Sequence, residues 1–252
     1  MASNRNHEPA PAGEPEDPAR AAPKVWLPAD FLSQLTHELK NHVAAAHAAT
    51  YLLRNQGGNL AAEREQRWLE AVRQAVGGLR STLDQIDTLD QIMTETVAPA
   101  IPVDLVPWVE SIVAQALKKG PAARVTVRIR ETLPGWWRLE GSLVGTALEV
   151  LVANALRFGP PDSTVWLDLR PGKCGLEIAV SDQGAGVSAS EAGRLFTPFF
   201  QGANARGRGG AGLGLAIAQA AMRRLQGEVR YSHSADKGTV FCLEVPARRE
   251  DA

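Results

Sequence analysis

Apolar residues in the first third of the chain recur three and four positions apart. Beginning near Pro28, Leu32, Leu35, Leu39, His42, Ala46, Ala49 and Leu53 form one such seam, the spacing that lines up side chains along one face of an α-helix. Gln56-Gly57-Gly58-Asn59 interrupts it, and a second seam follows through Leu69, Val72, Val76, Leu79, Leu83, Ile86, Asp90 and Met93. The pattern predicts a helical hairpin. Two helices bury their stripes only on one another, so the hairpin is expected to pair with a second copy as a homodimeric four-helix bundle. A hairpin docked on the rest of its own chain is the alternative.

Val97-Ala98-Pro99 breaks the second helix, and the pattern beyond it changes. Residues 105–119 and 143–158 carry apolar positions at helical spacing. Val125/Val127/Ile129, Val165/Leu167/Leu169, Leu176/Ile178/Val180 and Phe241/Leu243/Val245 alternate with polar neighbours, as half-buried strands do. Strands and helices with one polar sheet face predict an α+β sandwich. Residues 1–23, rich in Pro, Ala, Glu and Gly, cannot offset ordering entropy by burial and read as a disordered tail. The expected division is therefore tail 1–23, hairpin 24–97 and a second domain over 100–248.

Composition changes this picture little. The 252 residues are 44% hydrophobic and 22% charged, with a formal net charge of −1, so charge alone draws the chain to neither nucleic acid nor an anionic membrane. Cys174 and Cys242 lie far apart and form no metal-ligand spacing, which fits reduced thiols in a cytoplasmic protein. No apolar run reaches the length of a membrane span, and no signal peptide is evident, so the expectation is a cytoplasmic protein without membrane insertion.

With Leu32, Leu35 and Leu39 at core positions, His37 falls on the outward face of its helix. A solvated surface histidine is the plain reading. Its neighbours suggest more: a neutral imidazole offers a free nitrogen nucleophile, adjacent Glu38 can take its proton, and Asn41 lies one turn further on the same face. The segment Phe31-Leu-Ser-Gln-Leu-Thr-His37-Glu38-Leu-Lys-Asn41 resembles the phosphoacceptor box of dimeric sensor histidine kinases. The resemblance implies that His37 is phosphorylated, that Glu38 assists transfer, and that Asn41 serves dephosphorylation of a partner regulator. Where the family usually has proline, this chain has His42, which removes the expected helix bend; its seam position makes it a packing residue.

Further blocks occur in the order of the kinase ATP-binding domain. Asn154-Ala155-Leu156-Arg157-Phe158 ends an apolar helix; Asn154 is a cap or a magnesium ligand, and Arg157 can contact phosphate. Ser181-Asp182-Gln183-Gly184-Ala185-Gly186-Val187 follows a strand, where a carboxylate can accept from the exocyclic amine of adenine while glycines admit close approach. Leu195-Phe196-Thr197-Pro198-Phe199-Phe200 precedes a glycine-rich stretch, and its aromatics either pin a hinge or fill core. Gly210-Ala211-Gly212-Leu213-Gly214-Leu215-Ala216-Ile217 runs into a helix, exposing backbone amides that attract phosphate. Gly238-Thr239 precedes the last strand.

Together these resemble the Bergerat-type ATPase of histidine kinases, gyrase, Hsp90 and MutL. The resemblance implies that Asp182 reads adenine, that Gly184 and Gly186 shape its pocket, that the segment after Phe200 is a mobile lid, that Gly210, Gly212, Leu213 and Gly214 form the glycine box, and that Thr239 belongs to the final element. A second asparagine common in the family is replaced by Val150, which removes one magnesium ligand. The expected protein is a cytoplasmic two-component histidine kinase. It uses ATP and Mg2+ to phosphorylate His37, passes the phosphoryl group to the receiver domain of a response regulator, and takes its stimulus from a separate sensory protein. A degenerate kinase acting as a regulator-binding phosphatase or scaffold is the alternative; a serine kinase of the anti-sigma type fits less well, because it needs no hairpin carrying His37.

Overall fold

The computed structural model describes residues 27–55, 62–118, 125–129, 133, 135–205, 210–234 and 238–250. The tail expected over residues 1–23 and the break expected at residues 56–59 lie outside these residues, as do positions 206–209 of the expected lid. Two helices open the described chain, α1 (Phe31–Asn55) and α2 (Ala62–Thr94), and they pack on each other as the seams predict. Ala49, Ala75, Thr82, Leu89 and Ile92 are buried, and Thr82 satisfies its hydroxyl by donating to the Gly78 carbonyl at 3.0 Å.

Part of each seam is uncovered in the single chain. Leu32, Leu69, Val76 and Leu83, all on the expected seams, are 72%, 52%, 54% and 46% exposed, and Asp90 is exposed as well. A pair of helices shares a single contact line, and small residues occupy it here. The large apolar residues one register over, Leu69, Val76 and Leu83 at strict seven-residue intervals, face away from the partner helix. His42 is half-buried, as a packing residue should be, and its ring lies directly over Gly78. Any β-carbon at Gly78 would collide with that ring, so the close approach of α1 to α2 depends on glycine there.

The remainder is built on two sheets. β2 (Val125–Ile129), β4 (Val165–Gly172), β5 (Gly175–Asp182), β7 (Gly238–Pro246) and β6 (Glu228–Ser234) form a five-stranded sheet in the order β2-β4-β5-β7-β6, parallel only between β2 and β4. β1 (Ile101–Asp104), β3 (Trp136–Leu139) and β8 (Arg248–Arg249) form a small antiparallel sheet. Three helices, α3 (Leu105–Lys118), α4 (Gly141–Phe158) and α6 (Gly214–Arg224), complete the sandwich, and a single helical turn, α5 (Ala189–Ala192), precedes the aromatic block. The alternating residues Val165, Leu167 and Leu169 on β4, Leu176, Ile178 and Val180 on β5, and Leu243 and Val245 on β7 meet Leu148, Leu151, Ile217 and Met222 of the helices in one core. Among the described residues, α4 is the one helix long and apolar enough to cross a membrane. Its Val144, Leu148, Leu151 and Val152 are fully buried against the protein itself, so its apolarity is that of a core helix.

The hairpin also touches this sandwich. Phe31, Leu89 and Ile92 join the same apolar cluster, α2 packs on α6, and Arg224 donates to the Glu95 carbonyl at 2.6 Å.

Candidate active site

The first group of expected residues sits on α1, before any contribution from the sandwich. His37 and Asn41 are exposed one turn apart, and the Asn41 amide nitrogen lies 3.2 Å from His37 Nδ1. An amide N–H donating to Nδ1 leaves the proton of the neutral ring on Nε2; turning the amide so that Oδ1 accepts from Nδ1–H frees the Nε2 lone pair. The orientation of the Asn41 amide is thereby tied to which ring nitrogen carries the proton. Alongside it runs a parallel pair: Glu38 Oε1 and His42 Nε2 are 3.5 Å apart. That separation is too long for a well-formed hydrogen bond, and His42 Nε2 is buried with no other partner among the described residues.

The second group gathers at the end of β5. Asp182 is 2% exposed and its Oδ1 accepts from the Gly184 N–H at 2.6 Å. Burial pushes its carboxyl up to about 6, partly opposed by that N–H and by the nearby His233. Thr239, opposite Asp182 across β7, donates to the Gly184 carbonyl at 3.4 Å. Gly186 packs beneath His233 and the Tyr231 hydroxyl, and that hydroxyl accepts from the Val187 N–H at 3.0 Å.

The third group lies between α4 and α6. Asn154 is half-buried on α4, and Arg157, whose guanidinium burial lowers its pKa, lies against the backbone of Gly210. The Gln201 side chain donates to the Gly210 carbonyl at 2.8 Å. Gly212 has φ +74°, and a β-carbon there would lie 2.7 Å from the Phe200 carbonyl oxygen, so both its conformation and its neighbours require glycine. α6 then starts at Gly214 with no side-chain cap, leaving its first-turn N–H groups open to an anion. Gly214 faces Val150, so the position where a second asparagine was expected contributes a methyl group to the helix start.

The aromatic block ties the groups together. Phe196 packs edge-on to Phe241 at 6.5 Å, and Phe199 meets Phe31 of α1 at 5.2 Å. Of the two roles left open for the aromatics, Phe196 fills core, whereas Phe199 bridges the sandwich to the hairpin. Phe199 does so in a left-handed conformation, φ 62°, unusual for a bulky residue. Beside this contact opens a cavity of about 690 Å3, lined from α1 by Ser33, Gln34, His37 and Glu38, and from the sandwich by residues that include Arg194, Thr197 and Gln201. Arg194 and Gln201 were not singled out from the sequence; the available signal was a cation beside Leu195 and a polar residue after Phe200.

Residues 140–249 match the family described as histidine kinase-, DNA gyrase B- and HSP90-like ATPase. The sensor-like histidine kinase SenX3 of Mycobacterium tuberculosis is 32% identical over 226 residues, covering 86% of this chain and 53% of that protein. The chain spans about half the length of the curated relatives it matches. Among solved structures, the mycobacterial sensor histidine kinase MprB aligns with 60% of this chain and all of that one at 25% identity and a TM-score of 0.52. The Acinetobacter baumannii histidine kinase AdeS, at 17% identity, shares the fold over 83% of this chain and 96% of its own, with a TM-score of 0.60. An ATPase sandwich with its glycine box, preceded by a helix that presents His-Glu beside it, therefore has relatives along nearly its whole described length, and those relatives are sensor histidine kinases of two-component systems.

Proposed function

We propose that this chain transfers the terminal phosphoryl group of ATP to His37 and then to an aspartate in the receiver domain of a response regulator. The observation that carries the reading is the shared cavity: His37 and Glu38 line it from one side, and from the other Phe199 and Phe200, whose backbone abuts Gly212 of the glycine box. The phosphoacceptor and the phosphate-binding loop are thus two contacts apart.

In this reading the Asp182 carboxylate accepts from the exocyclic amine of adenine, in a pocket shaped by Gly184, Gly186 and Thr239. The phosphates lie over the open amides of Gly214 and its neighbours, flanked by Gly210, Gly212, Leu213 and Arg157, with Phe196 and Phe199 supporting the loop. Among the described residues no cluster of three or more His, Cys, Asp or Glu side chains could cage a metal. Asn154 offers one amide oxygen, which fits a magnesium ion that keeps its waters and arrives on the nucleotide phosphates. Magnesium held there would neutralise phosphate charge. Glu38 accepts the imidazole proton as His37 attacks, and the chain acts mainly by positioning.

The remaining proposals follow from the same reading. The division into hairpin 24–97 and ATPase 100–248 separates acceptor from nucleotide site. Two chains pair through the apolar stripe of the hairpin, and the kinase works on protein partners. A second reading, regulator phosphatase, draws support from Asn41, exposed and already bonded to His37, and from Val150 at the glycine-box helix. Incubation with γ-labelled ATP and magnesium decides between them. We expect an acid-labile, base-stable product that His37→Gln abolishes while nucleotide binding survives. Label retained in that variant removes His37 from the mechanism, and absence of label in the wild type favours the phosphatase reading.

A further inference from the structure

We propose that Arg194 is the catalytic cation that stabilises the phosphoryl group as it moves to His37, an assignment that rests on the kinase reading above. Among the described residues it is the one lysine or arginine lining the cavity shared with His37 and Glu38. Its guanidinium lies over the Phe200 ring, 4.8 Å from the centroid. Stacking holds the plane of the fork while leaving its N–H edge free for oxygen acceptors, which a lysine cannot imitate.

The acid in the sandwich wall of the cavity is Glu191. Glu191 is committed to the local fold: Oε1 accepts from the Ala203 N–H at 2.9 Å, and Oε2 accepts from the Ser188 N–H at 3.2 Å and from its hydroxyl at 2.7 Å. Among the described residues Arg194 has no ion-pair partner within 4.0 Å. An unneutralised, preorientated cation in the wall that faces the acceptor imidazole is the feature that a phosphoryl-transfer site requires.

The lone pair of His37 Nε2 forms the N–P bond while the bond from phosphorus to the β-phosphate bridging oxygen breaks. ADP leaves with that electron pair, and the proton on Nδ1, the nitrogen that faces Asn41, passes through solvent to the Glu38 carboxylate. In transit the negative charge is spread over the three equatorial oxygens, and Arg194 meets it from the sandwich wall, across the cavity from His37. The interaction is made to the moving group and not to bound ATP, so it should appear in turnover and not in affinity.

Arg194→Met is expected to slow single-turnover labelling of His37 by on the order of 10²-fold, with affinity for a non-hydrolysable ATP analogue and the thermal midpoint unchanged. Arg194→Lys should recover part of the rate. A readout independent of ATP is the 31P resonance of phospho-His37 prepared with phosphoramidate, which should differ between wild type and Arg194→Met. Equal labelling rates, or equal 31P resonances, overturn the assignment, as does a rate loss matched by lost analogue affinity. A wild type that labels no histidine sinks the kinase reading instead, while the phosphoramidate experiment still reports on Arg194.

Discussion

Asp182 carries the clearest electrostatic signature in the molecule. Its carboxyl is pushed up from an ordinary value of 3.8 to about 6, with burial as the main cause. A folded value above the unfolded one means that the native state binds the proton more tightly. Its contribution to stability is therefore fully present below 3.8 and is lost as pH rises through about 6. For the proposed adenine contact the sign is opposite, because the ionised carboxylate is the stronger acceptor for the adenine amine. ADP affinity, followed by calorimetry from about pH 8 to pH 5, is expected to weaken toward tenfold per unit below about 6. Asp182→Asn should bind ADP roughly 10- to 100-fold more weakly at neutral pH, the worth of a hydrogen bond to a charged group, and should show no such pH dependence. A wild-type affinity that is flat across this range would remove Asp182 from adenine recognition. The residue was legible in sequence as an acid followed by spaced glycines after a strand; its raised pKa was not, since burial of the carboxyl by neighbouring elements caused it.

At the scale of the element, the turn from the aromatic block into α6 shows how little of a loop its composition conveys. A run of glycines before a helix signals exposed amides. It does not say that Gly212 must adopt φ +74° with its Cα pressed against the backbone of Phe199 and Phe200. Gly212→Ala combines a left-handed alanine with a backbone clash, and should cost about 1–3 kcal/mol in stability together with measurable nucleotide affinity; urea unfolding and ADP titration check both. Unchanged stability and affinity would mean that the loop can relax without consequence for the site. Strands fared unevenly for a physical reason. β4, β5 and β7 carry a buried apolar face and announce it by alternation, whereas β1 and β3 have four residues each and β8 two, too short for a period to register. β6 was missed because most of its residues are polar or charged, as suits an edge strand.

For the whole molecule, the open question posed by the hairpin is its outer stripe. Leu69, Val76 and Leu83 on α2, with Leu32, Val43 and Tyr51 on α1, are large, apolar and about half or more exposed in a single chain. A second hairpin packed on this face buries them in the way a four-helix bundle does. Val76→Glu and Leu83→Glu together are expected to convert a dimer into a monomer in sedimentation velocity without unfolding the ATPase sandwich; a wild type already monomeric at about 10 µM would leave the stripe without this role. A hairpin, a sandwich with a glycine box after it, and an outward-facing His37 can all be read along the chain, because periodicity and local turn chemistry are written over short distances. Which apolar residues face the partner helix and which face away, that Phe199 reaches Phe31, and that Arg194 stands across a cavity from His37 were decided only by tertiary structure. Those relations join residues far apart in the chain, and their geometry depends on how separately formed elements come to rest against one another.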